Sequence, residues 1–571
     1  MKAMLALGAS LLCVSLASAD TWTTGTAGQV TTSATGTKVG VGTTGTPAEK
    51  LTVAGGSVLI DNNQYLKGKQ SSGTSTNLLG LTTGNQLNLG GANPTLGLST
   101  GSATRMLIDA SGNVGVGMTA SGRRLDVSGT ARATSFEGDG GKLINVAPVG
   151  SFSVTQYGAV PNQTANDYRT AFQNALNAAA PKGGVVFVPP GQYKISGPLT
   201  IARGVTLQGS WQGAHDAKLD RGTTLRADYS VASTTSPFIT LDEDAAIMGV
   251  TIFYPQQVNS TSYSAYPWTI KGGFDADIEN VTLANSYKGI QLSENSHLVR
   301  NVNMTAFSEG ISIDNCLDIS RLENVHIHPK FWISAMGWAY TSDGNGVPTG
   351  RLWEIIYYTI RNLTGFKFMR TDWQEVSGSF VIWAKTGMQV TASPTVPSGA
   401  SATIVNSGMD MCQTALFVDR TDGFGGISFA NTLLIGQTVI SKTDLGPVRF
   451  TNCTFHPAFQ AENPNRTTTL IYHNAPSTLT VTSSLFYDWD VPRAGHGAIT
   501  MNDGICLFNQ NEFMPPYVGR PATVLPPLAN RLHFNMFNNS ALMGNSNRFG
   551  DQVRYNLSNS SSVELTSSVN R

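Results

Sequence analysis

The segment from residue 310 to residue 332 concentrates side chains that could cleave a glycosidic bond. Glycan cleavage needs an acid that protonates the leaving oxygen, a base or nucleophile, and a flat surface on which sugar rings stack. Carboxylates, imidazoles and an aromatic pair all occur in this short stretch. We predict Asp314 as an acid or base, with His326 in support. The predicted substrate contacts in this segment are His328, Lys330 and Trp332.

A second cluster, Arg370-Thr-Asp-Trp-Gln-Glu375, combines two carboxylates with a cation and an indole. Asp372 and Glu375 are predicted as a catalytic carboxylate pair, and Arg370 would orient an acidic sugar. Trp373 would stack on the sugar ring. The alternative is a surface ion pair in a turn of the chain, and the sequence leaves both interpretations open.

Two repeats give other polar residues a structural interpretation. Glu279, Arg300 and Glu323 each precede a repeated Asn, which indicates an alternating ladder of charges, so we prefer a structural role for Glu323. The tetrapeptide His328-Pro-Lys-Phe returns as His456-Pro-Ala-Phe. Because repetition of this kind favours a turn of a repeating coil, His328 also has a structural alternative.

The elements that must position these side chains are the strands of a repeating coil. Two interleaved series of short apolar segments recur, one opening on Asn and the other on Gly, at roughly 21 to 23 residues where they are most regular. Such periodicity is typical of a solenoid. Asn tolerates the left-handed backbone of a tight turn, and stacked copies would form a ladder of amides. The series open at Asn280, Asn301, Asn324, Asn431, Asn452 and Asn511, and at Gly289, Gly310, Gly365 and Gly387.

Alternation of side chains along each strand predicts which residues face solvent. With the apolar members of each coil pointing inward, Asp314, His326 and His328 are predicted on outward faces. An aromatic interval from Trp332 to Trp353 breaks the coil spacing. We expect it either to form a wall of a glycan cleft or to shield a subunit interface.

Residues 151–209 carry a family resemblance. They begin with Ser151-Phe-Ser-Val-Thr-Gln-Tyr-Gly-Ala-Val and, after an amphipathic helix, continue with Gly183-Gly-Val-Val-Phe-Val-Pro-Pro-Gly and Gly204-Val-Thr-Leu-Gln-Gly. The apolar positions of the helix are Tyr168, Phe172, Leu176 and Ala179. This order resembles the opening of the pectate lyase superfamily of right-handed parallel β-helices.

The resemblance implies an all-β fold, a right-handed single-stranded parallel β-helix whose open N-terminal end is covered by a capping helix. It also implies action on polysaccharides, as in most members of known chemistry. It supplies no catalytic residue, because only Gly495-His-Gly of the polygalacturonase motifs is present. The Trp-Ile-Asp-His of calcium pectate lyases and the Asp-Pro-His-Asp of alginate epimerases are both absent. We therefore expect no metal and no cofactor.

Residues 20–148 contain an internal repeat. Lys38-Val-Gly-Val-Gly returns as Asn113-Val-Gly-Val-Gly, and each copy continues into a second short apolar segment. The repeat resembles the stalk modules of phage tail fibres and bacterial surface fibres, which implies a fibrous β-rich region. One copy buries too little apolar surface to fold alone, so we expect a homotrimer. A flexible Gly/Thr-rich linker is the alternative.

The N-terminus predicts export. Met1-Lys2, an apolar run and Ala17-Ser-Ala19 are typical of a secretory signal peptide cleaved near Ala19, and Cys13 leaves a lipoprotein as the alternative. We expect a signal peptide at residues 1–19, the tail-fibre-like stalk at 20–148, and the pectate-lyase-like β-helix at 149–571.

Composition narrows the classes of function. Lys+Arg and Asp+Glu each total 37, and only 13% of residues are charged, so no basic surface is expected for nucleic acid or for a membrane. We predict a secreted protein that cleaves an extracellular polysaccharide. Hydrolysis is preferred to β-elimination because no cluster of calcium-ligating acids is visible in the sequence. The rival is a non-catalytic glycan-binding surface protein or tailspike-like fibre protein, which the stalk repeats favour.

Overall fold

The computed structural model describes fifteen stretches of the chain, which divides into two compact units, Met1–Gly141 and Lys142–Arg571. The expected signal peptide lies outside the described residues. Those residues are 30–32, 39–41, 51–53, 57–90, 95–118, 124–132, 151–210, 218–233, 235–258, 262–344, 347–458, 469–490, 495–514, 531–549 and 552–570.

The second unit is an all-β, right-handed parallel β-helix, which confirms the predicted fold class. Each coil contributes to three parallel sheets, called faces A, B and C in the order in which the chain meets them. Each strand pairs with the equivalent strand one coil later, so every coil packs only on its neighbours. Asp277–Ser293 and Leu298–Asp314 run through all three faces, and Ser320–Ile327 runs through faces A and B.

The other strands each belong to one face. Face A contains Ser151–Ser153, Gly184–Phe187, Val205–Gln208, Ala246–Met248, Thr371–Ser377, Ala400–Val405, Ile427–Ala430, Val448–Thr451, Thr478–Thr482, Ile505–Asn509, Ala541–Asn545 and Ser562–Thr566. Face B contains Gly191–Ile195, Thr223–Ala227, Thr251–Phe253, Phe380–Ile382, Gly408–Asp410, Leu433–Ile435, Thr454–His456, Leu485–Tyr487, Glu512–Met514, Arg548–Phe549 and Val569–Asn570. Face C contains Leu199–Ile201, Ile239–Leu241, Trp268–Gly272, Thr364–Phe368, Thr386–Val390, Thr414–Val418, Gln437–Ile440, Ile471–His473, Ile499–Met501, Phe534–Met536 and Tyr555–Leu557.

The core of the β-helix is built from stacks of like residues. Inward positions of successive coils lie in register, so that an apolar side chain in one coil covers its equivalent in the next. On face B an aromatic stack continues this pattern, with Phe455 and Phe513 each 4.9 Å from Phe486 between ring centroids. Buried stacks of this kind include Val281, Val302 and Val325, and Ile290, Ile311, Phe366 and Met388.

The predicted Asn series forms the corner between faces A and B. Asn301 donates its amide to Asn280 Oδ1 at 3.1 Å and accepts the amide of Asn324 at 2.9 Å. The ladder resumes where Asn431 donates to Asn406 at 3.2 Å and Asn452 to Asn431 at 2.7 Å. All six backbones are left-handed, with φ between 51° and 54°. The amide ladder is therefore confirmed.

One member of the Asn series was assigned wrongly. Phe513 pairs with Phe486, which puts Gln510 at the corner, and Gln510 has the left-handed φ of 57°. Asn511 lies one position later and is buried, where its Oδ1 accepts the backbone N–H of Ser484 at 2.9 Å. Gln, whose amide side chain is longer, can occupy the corner as well as Asn. An assignment based on Asn alone therefore placed the register one residue too late.

The Gly series opens strands on face C for a steric reason. A Cβ on Gly289, Gly310, Gly365 or Gly387 would lie 2.4–2.7 Å from the carbonyl oxygen of the next coil. Adjacent coils approach most closely at this position, and any side chain would push them apart.

The expected capping helix is confirmed as α1, Arg169–Ala179. Its buried face contains Phe172, Leu176 and Ala179, and Tyr168 is buried immediately before its first turn. The helix packs on the first strands of faces A and C, so it covers the apolar end that the first coil would otherwise expose.

The aromatic interval folds into two helices, α2 (Lys330–Ala335) and α3 (Gly350–Asn362). In α3, buried residues recur at helical spacing, which gives the helix one apolar side. That side packs with Phe307, Trp332 and neighbouring residues into a second apolar cluster outside the β-helix lumen. The insertion therefore covers the outer surface of face B. The buried residues of α3 are Leu352, Ile355, Ile356, Thr359 and Ile360.

In its described part, the first unit contains three small sheets. Val30–Thr32, Val39–Val41 and Leu51–Val53 form one, and Tyr65–Lys69, Ser75–Leu81 and Leu87–Leu89 form an antiparallel meander. The third sheet has four strands, Leu96–Thr100, Ala103–Ile108, Val114–Val116 and Leu125–Val127. Both copies of the sequence repeat form the same parallel strand pair, with Val39 opposite Leu51 and Val114 opposite Leu125.

Candidate functional site

The structure separates the nine predicted site residues into two groups. His326 and His328 lie on or beside face B, and Lys330 and Trp332 belong to helix α2 of the insertion that covers this face. The other five lie at the corner between faces C and A and on face A itself. Those five are Asp314, Arg370, Asp372, Trp373 and Glu375.

The histidines of the first group contact protein. His326 points outward in register with Asn303, as predicted, but its ring lies 5.1 Å from Phe331 and 5.3 Å from Phe380 between centroids. His328 is buried, and its Nδ1 accepts the backbone N–H of Lys330 at 2.8 Å at the start of α2. The geometry of His328 thus matches the structural alternative that its repeated tetrapeptide offered.

The remaining two residues of the first group are held by the insertion. Trp332 is only 1% exposed and packs on Phe307 and Trp338, with ring centroids 5.5 Å away in both cases. The ammonium group of Lys330 lies 5.4 Å from the Phe331 ring centroid, and burial lowers the pKa of Lys330. The indole of Trp332 therefore presents no face to a sugar.

Asp314 joins three successive coils at the corner between faces C and A. Its Oδ1 accepts the backbone N–H groups of Asn315 at 2.8 Å and Arg370 at 3.2 Å. Its Oδ2 accepts the hydroxyl of Ser393 at 3.0 Å. Arg370 adds to this joint because its guanidinium donates to Asn315 Oδ1 at 2.9 Å. Both oxygens of Asp314 are therefore engaged in holding the turn.

Asp372 and Trp373 are extruded from face A by a bulge. Thr371 pairs with Ala400 and Gln374 with Ala402, so three steps along one strand oppose two along the next. Gln374 is buried, whereas Asp372 is exposed and Trp373 is 49% exposed. A bulge redirects side chains out of the sheet, and here it presents a carboxylate and an indole together to solvent.

Beside this bulge, face A forms an open groove. Glu375 forms an ion pair with Arg321, in which Glu375 Oε2 lies 3.3 Å from Arg321 Nε. Both side chains are about half exposed. The groove has a volume of about 180 Å³. Its lining residues are Arg321, Leu322, Glu323, Glu375, Val376, Ser377, Thr403 and Val405. We call this surface, together with Asp372 and Trp373, the face A groove.

The predicted charge ladder lies along the same face. Arg300 contacts Glu323 at 2.8 Å and Glu279 at 3.3 Å, which confirms the alternating ladder. At its end, burial together with the charges of Glu279 and Asp275 raises the pKa of Asp277. Asp277 is a titratable group that the sequence gave no reason to select, because burial, the largest cause of its raised pKa, follows only from the packing of the fold.

A second ionic group on face C was also missed. Lys288 contacts Glu309 at 2.9 Å, and Lys367 contacts it at 3.4 Å from the next coil. Burial acts to raise the pKa of Glu309, but the two lysines outweigh it and the pKa is lowered. The sequence did contain a signal for this group. Lys288 and Glu309 each directly precede a member of the Gly series, so they occupy equivalent positions in successive coils.

The cysteines of the β-helix are structural in character. Cys316, Cys412, Cys453 and Cys506 are free thiols in buried positions. Burial raises the pKa of Cys453 to about 11 and that of Cys412 to about 12, so neither is an activated nucleophile. Cys453 is thus an ordinary buried thiol.

The described stretches of the chain also bear on metal ligands and on membrane-spanning helices. Among those residues, no cluster of three or more His, Cys, Asp or Glu side chains is placed to hold a metal ion. Within the same stretches, no helix is both long enough and apolar enough to cross a membrane.

A family model supports the resemblance carried by residues 151–209. The family described as rhamnogalacturonase A/epimerase, pectate lyase-like, matches residues 151–317, which include the capping helix and the first coils. Over these residues the second unit is therefore similar to that family. The match ends just beyond Asp314, so the Arg370–Glu375 cluster lies outside it.

Solved structures are similar to this chain at low identity and low TM-score. The mannuronan C-5 epimerase AlgE4 A-module of Azotobacter vinelandii is 12% identical, with a TM-score of 0.39 over 72% of this chain and 99% of that chain. The GH87 α-1,3-glucanase catalytic unit of Streptomyces thermodiastaticus is 16% identical, with a TM-score of 0.35 over 74% and 69%. The surface adhesin PfbA of Streptococcus pneumoniae is 13% identical, with a TM-score of 0.35 over 72% and 93%. No curated protein sequence matches the chain.

Proposed function

We propose that this protein cleaves an extracellular polysaccharide in the face A groove, by hydrolysis. The observation that carries the proposal is the bulge that presents Asp372 and Trp373 to solvent beside the Arg321–Glu375 pair. Glycoside hydrolysis uses a carboxylate pair, and an aromatic platform provides a surface on which sugar rings stack. The pectate-lyase-like family match over residues 151–317 supports a carbohydrate as the substrate.

The groove suggests a role for each side chain. Trp373 stacks on a sugar ring, and Arg321 holds the Glu375 carboxylate in one orientation. Asp372 donates a proton to the glycosidic oxygen as its bond to the anomeric carbon breaks. Glu375 acts on the opposite side as base or nucleophile, and water supplies the hydroxyl of the new reducing end.

The test is incubation of the purified protein with a panel of neutral and acidic polysaccharides. Hydrolysis produces new reducing ends without absorbance from an unsaturated sugar, and this is the result we expect. Reducing ends accompanied by that absorbance would show β-elimination and contradict the proposed reaction. If the protein binds one glycan but releases no product from any of them, the proposed cleavage is wrong and the protein is a glycan-binding protein.

A non-catalytic glycan-binding protein is the second candidate. The observation in its favour is that two of the predicted catalytic acids are engaged by protein groups. Asp314 accepts three hydrogen bonds at the C–A corner, and Glu375 is paired with Arg321. In this case the groove would hold a sugar through Trp373, and conversion of Asp372 to Asn would leave binding intact.

We also propose export and trimerisation. The signal peptide at residues 1–19 and cleavage near Ala19 would deliver the protein outside the cytoplasm. The stalk repeats of residues 20–148 would assemble three chains into a homotrimer that carries three β-helices. Sequencing of the N-terminus of the exported protein tests the first proposal, because a mature chain that begins at Asp20 is expected.

A further inference from the structure

Outward side chains of face A form two columns that lead into the groove. Strand pairing places the members of each column one above the next in successive coils, about 4.8 Å apart. A glycan chain that lies along the face would therefore meet several members of both columns. One column is Asp277, Leu298, Arg321 and Glu375, and the other is Glu279, Arg300, Glu323 and Ser377.

Carboxylates outnumber cations in this part of face A. Together with the exposed Asp372, the two columns hold five carboxylates and two guanidiniums, which leaves three negative charges uncompensated. Both guanidiniums are already engaged, since Arg300 contacts two carboxylates of its own column and Arg321 contacts Glu375. The surface therefore presents an excess of negative charge to a glycan.

The surroundings of Asp277 report this excess locally. Burial is the largest cause of its raised pKa, and the negative charges of Glu279 and Asp275 come next. Each of these two carboxylates has a larger effect on Asp277 than the opposing charge of Arg300. At this end of the columns, like charges thus outweigh the nearest cation.

The cation that the sequence suggested for an acidic sugar does not line the groove. Arg370 donates its guanidinium to Asn315 Oδ1 at the corner between faces C and A. Asp314 lies at the same corner and accepts the backbone N–H of Arg370, so the two residues add no net charge there. The groove lining itself contains one guanidinium, that of Arg321, and two carboxylates.

On the C-terminal side of the groove, face A is almost uncharged. Its next four strands contain a single charged residue, Arg449, whose guanidinium donates to the Gly425 carbonyl oxygen at 2.9 Å. The outward positions of these strands are mostly hydroxyl side chains, which can donate to and accept from the hydroxyls of a sugar. They include Thr403, Ser428, Thr451, Thr478, Thr480 and Thr482.

We propose that the face A groove selects an uncharged polysaccharide and excludes polyuronates. A polyuronate has a carboxylate on each sugar, so several negative charges would have to lie along a surface that already has an excess of them. Juxtaposed like charges suppress the wrong ligand even where its shape fits. This inference rests on the glycan site proposed above and names the substrate class of that site.

The test compares two forms of one polysaccharide that differ in charge. It uses the glycan that the panel identifies and its counterpart, in which primary hydroxyls are oxidised to carboxylates or carboxylates are reduced to hydroxyls. At about 0.01 M salt, where charges act over about 30 Å, we expect kcat/KM for the uncharged form to be at least about tenfold higher. At about 1 M salt this length is about 3 Å, so the acidic form should gain activity and the difference should shrink.

Glu323→Gln locates the effect in the groove. Loss of this negative charge should raise kcat/KM for the acidic form by about threefold or more relative to the uncharged form. Glu512→Gln is the matched control, because it also removes a carboxylate that pairs with an arginine, but on face B. Its ratio should equal that of the wild type. An unchanged ratio in Glu323→Gln would overturn the proposal, because another surface would then set the preference.

The two proposals can fail separately. Preference for the acidic form, with activity that falls as salt rises, would overturn the uncharged substrate and leave hydrolysis in place. Equal activity on both forms would overturn it as well. If the protein binds glycans without cleaving them, the dissociation constants of the two forms should show the same preference, and only the proposed cleavage is wrong. A protein that neither binds nor cleaves any glycan would contradict both proposals.

Discussion

At the residue scale, two tryptophans that the sequence predicted as substrate contacts lie in opposite environments. Trp332 and Trp373 each follow polar, chemistry-bearing residues in the sequence. The structure buries Trp332 against Phe307 and leaves Trp373 half exposed on a bulge. The sequence could not separate them, because the burial of Trp332 depends on a helical insertion whose docking partner is another coil.

Substitution of these two residues should give opposite phenotypes. Trp373→Ala should weaken glycan affinity roughly tenfold to a hundredfold and leave the melting temperature unchanged, because it removes an exposed stacking surface. Trp332→Ala should lower the free energy of unfolding by about 3–5 kcal/mol, because it leaves a cavity in a packed cluster. Titration calorimetry with the cleaved or bound glycan and denaturant melts measure both effects. Equal effects of the two variants on affinity would contradict the proposed site.

A buried histidine makes stability depend on pH. His297 is 1% exposed, with Nε2 2.8 Å from the Ser293 carbonyl oxygen, and burial lowers its pKa although hydrogen bonds to backbone oppose this. The unfolded chain has the ordinary pKa of about 6.5, so it takes up the proton first as pH falls. The stability from His297 is thus complete above that pH and is lost below it.

The measurement compares unfolding free energies of the wild type and His297→Gln from pH 8 to pH 5. The difference between the two proteins should be constant above about pH 6.5 and shrink as the pH falls further. Parallel curves throughout would mean that His297 does not titrate differently in the folded state. His473, which is also buried with a lowered pKa, is present in both proteins and cancels from the comparison.

At the element scale, repetition made the coil predictable. The Asn and Gly series identified the corner and the close approach of neighbouring coils, because each needs one residue type for a backbone reason. Alternation along the strands likewise placed His326 on an outward face, where it lies in register with Asn303. The sequence did not predict that α2 and α3 cover this outward face. Their docking on face B depends on packing that leaves no periodic pattern in the sequence. The sequence also missed Lys367, which meets Glu309 only across coils.

The amide ladder offers a direct test of this element. Asn301 contributes two side-chain hydrogen bonds and a left-handed backbone. Asn301→Gly keeps the backbone conformation and loses the bonds, so we expect a loss of about 1–2 kcal/mol in the free energy of unfolding. Asn301→Ala should lose roughly 1 kcal/mol more, because alanine resists a positive φ. Denaturant melts of both variants should rank wild type above Gly and Gly above Ala. The reverse order of Gly and Ala would show that the backbone is not the constraint.

At the scale of the whole molecule, the two units differ in what their described residues bury and expose. The β-helix stacks coils on a core of its own and exposes charged ladders and a groove on face A. In its described part the first unit exposes aliphatic side chains, and the proposed assembly concerns this unit, whereas the proposed glycan cleavage concerns the β-helix. The sequence predicted the β-helix from repetition and the need for other chains from low apolar burial. It could not predict the bulge, because an extra residue in one strand is defined only against its neighbour.

The central claim is that cleavage takes place in the face A groove, and turnover by carboxylate variants tests it most directly. On the glycan that the wild type cleaves, Asp372→Asn and Glu375→Gln should each lower kcat by about a hundredfold to ten-thousandfold, with the fold intact. Glu512→Gln is the matched control, because Glu512 also pairs with an arginine, Arg548 at 2.7 Å, but on face B near the C-terminus. Its turnover should equal that of the wild type. Unchanged kcat in both groove variants would contradict the account and move the chemistry away from face A.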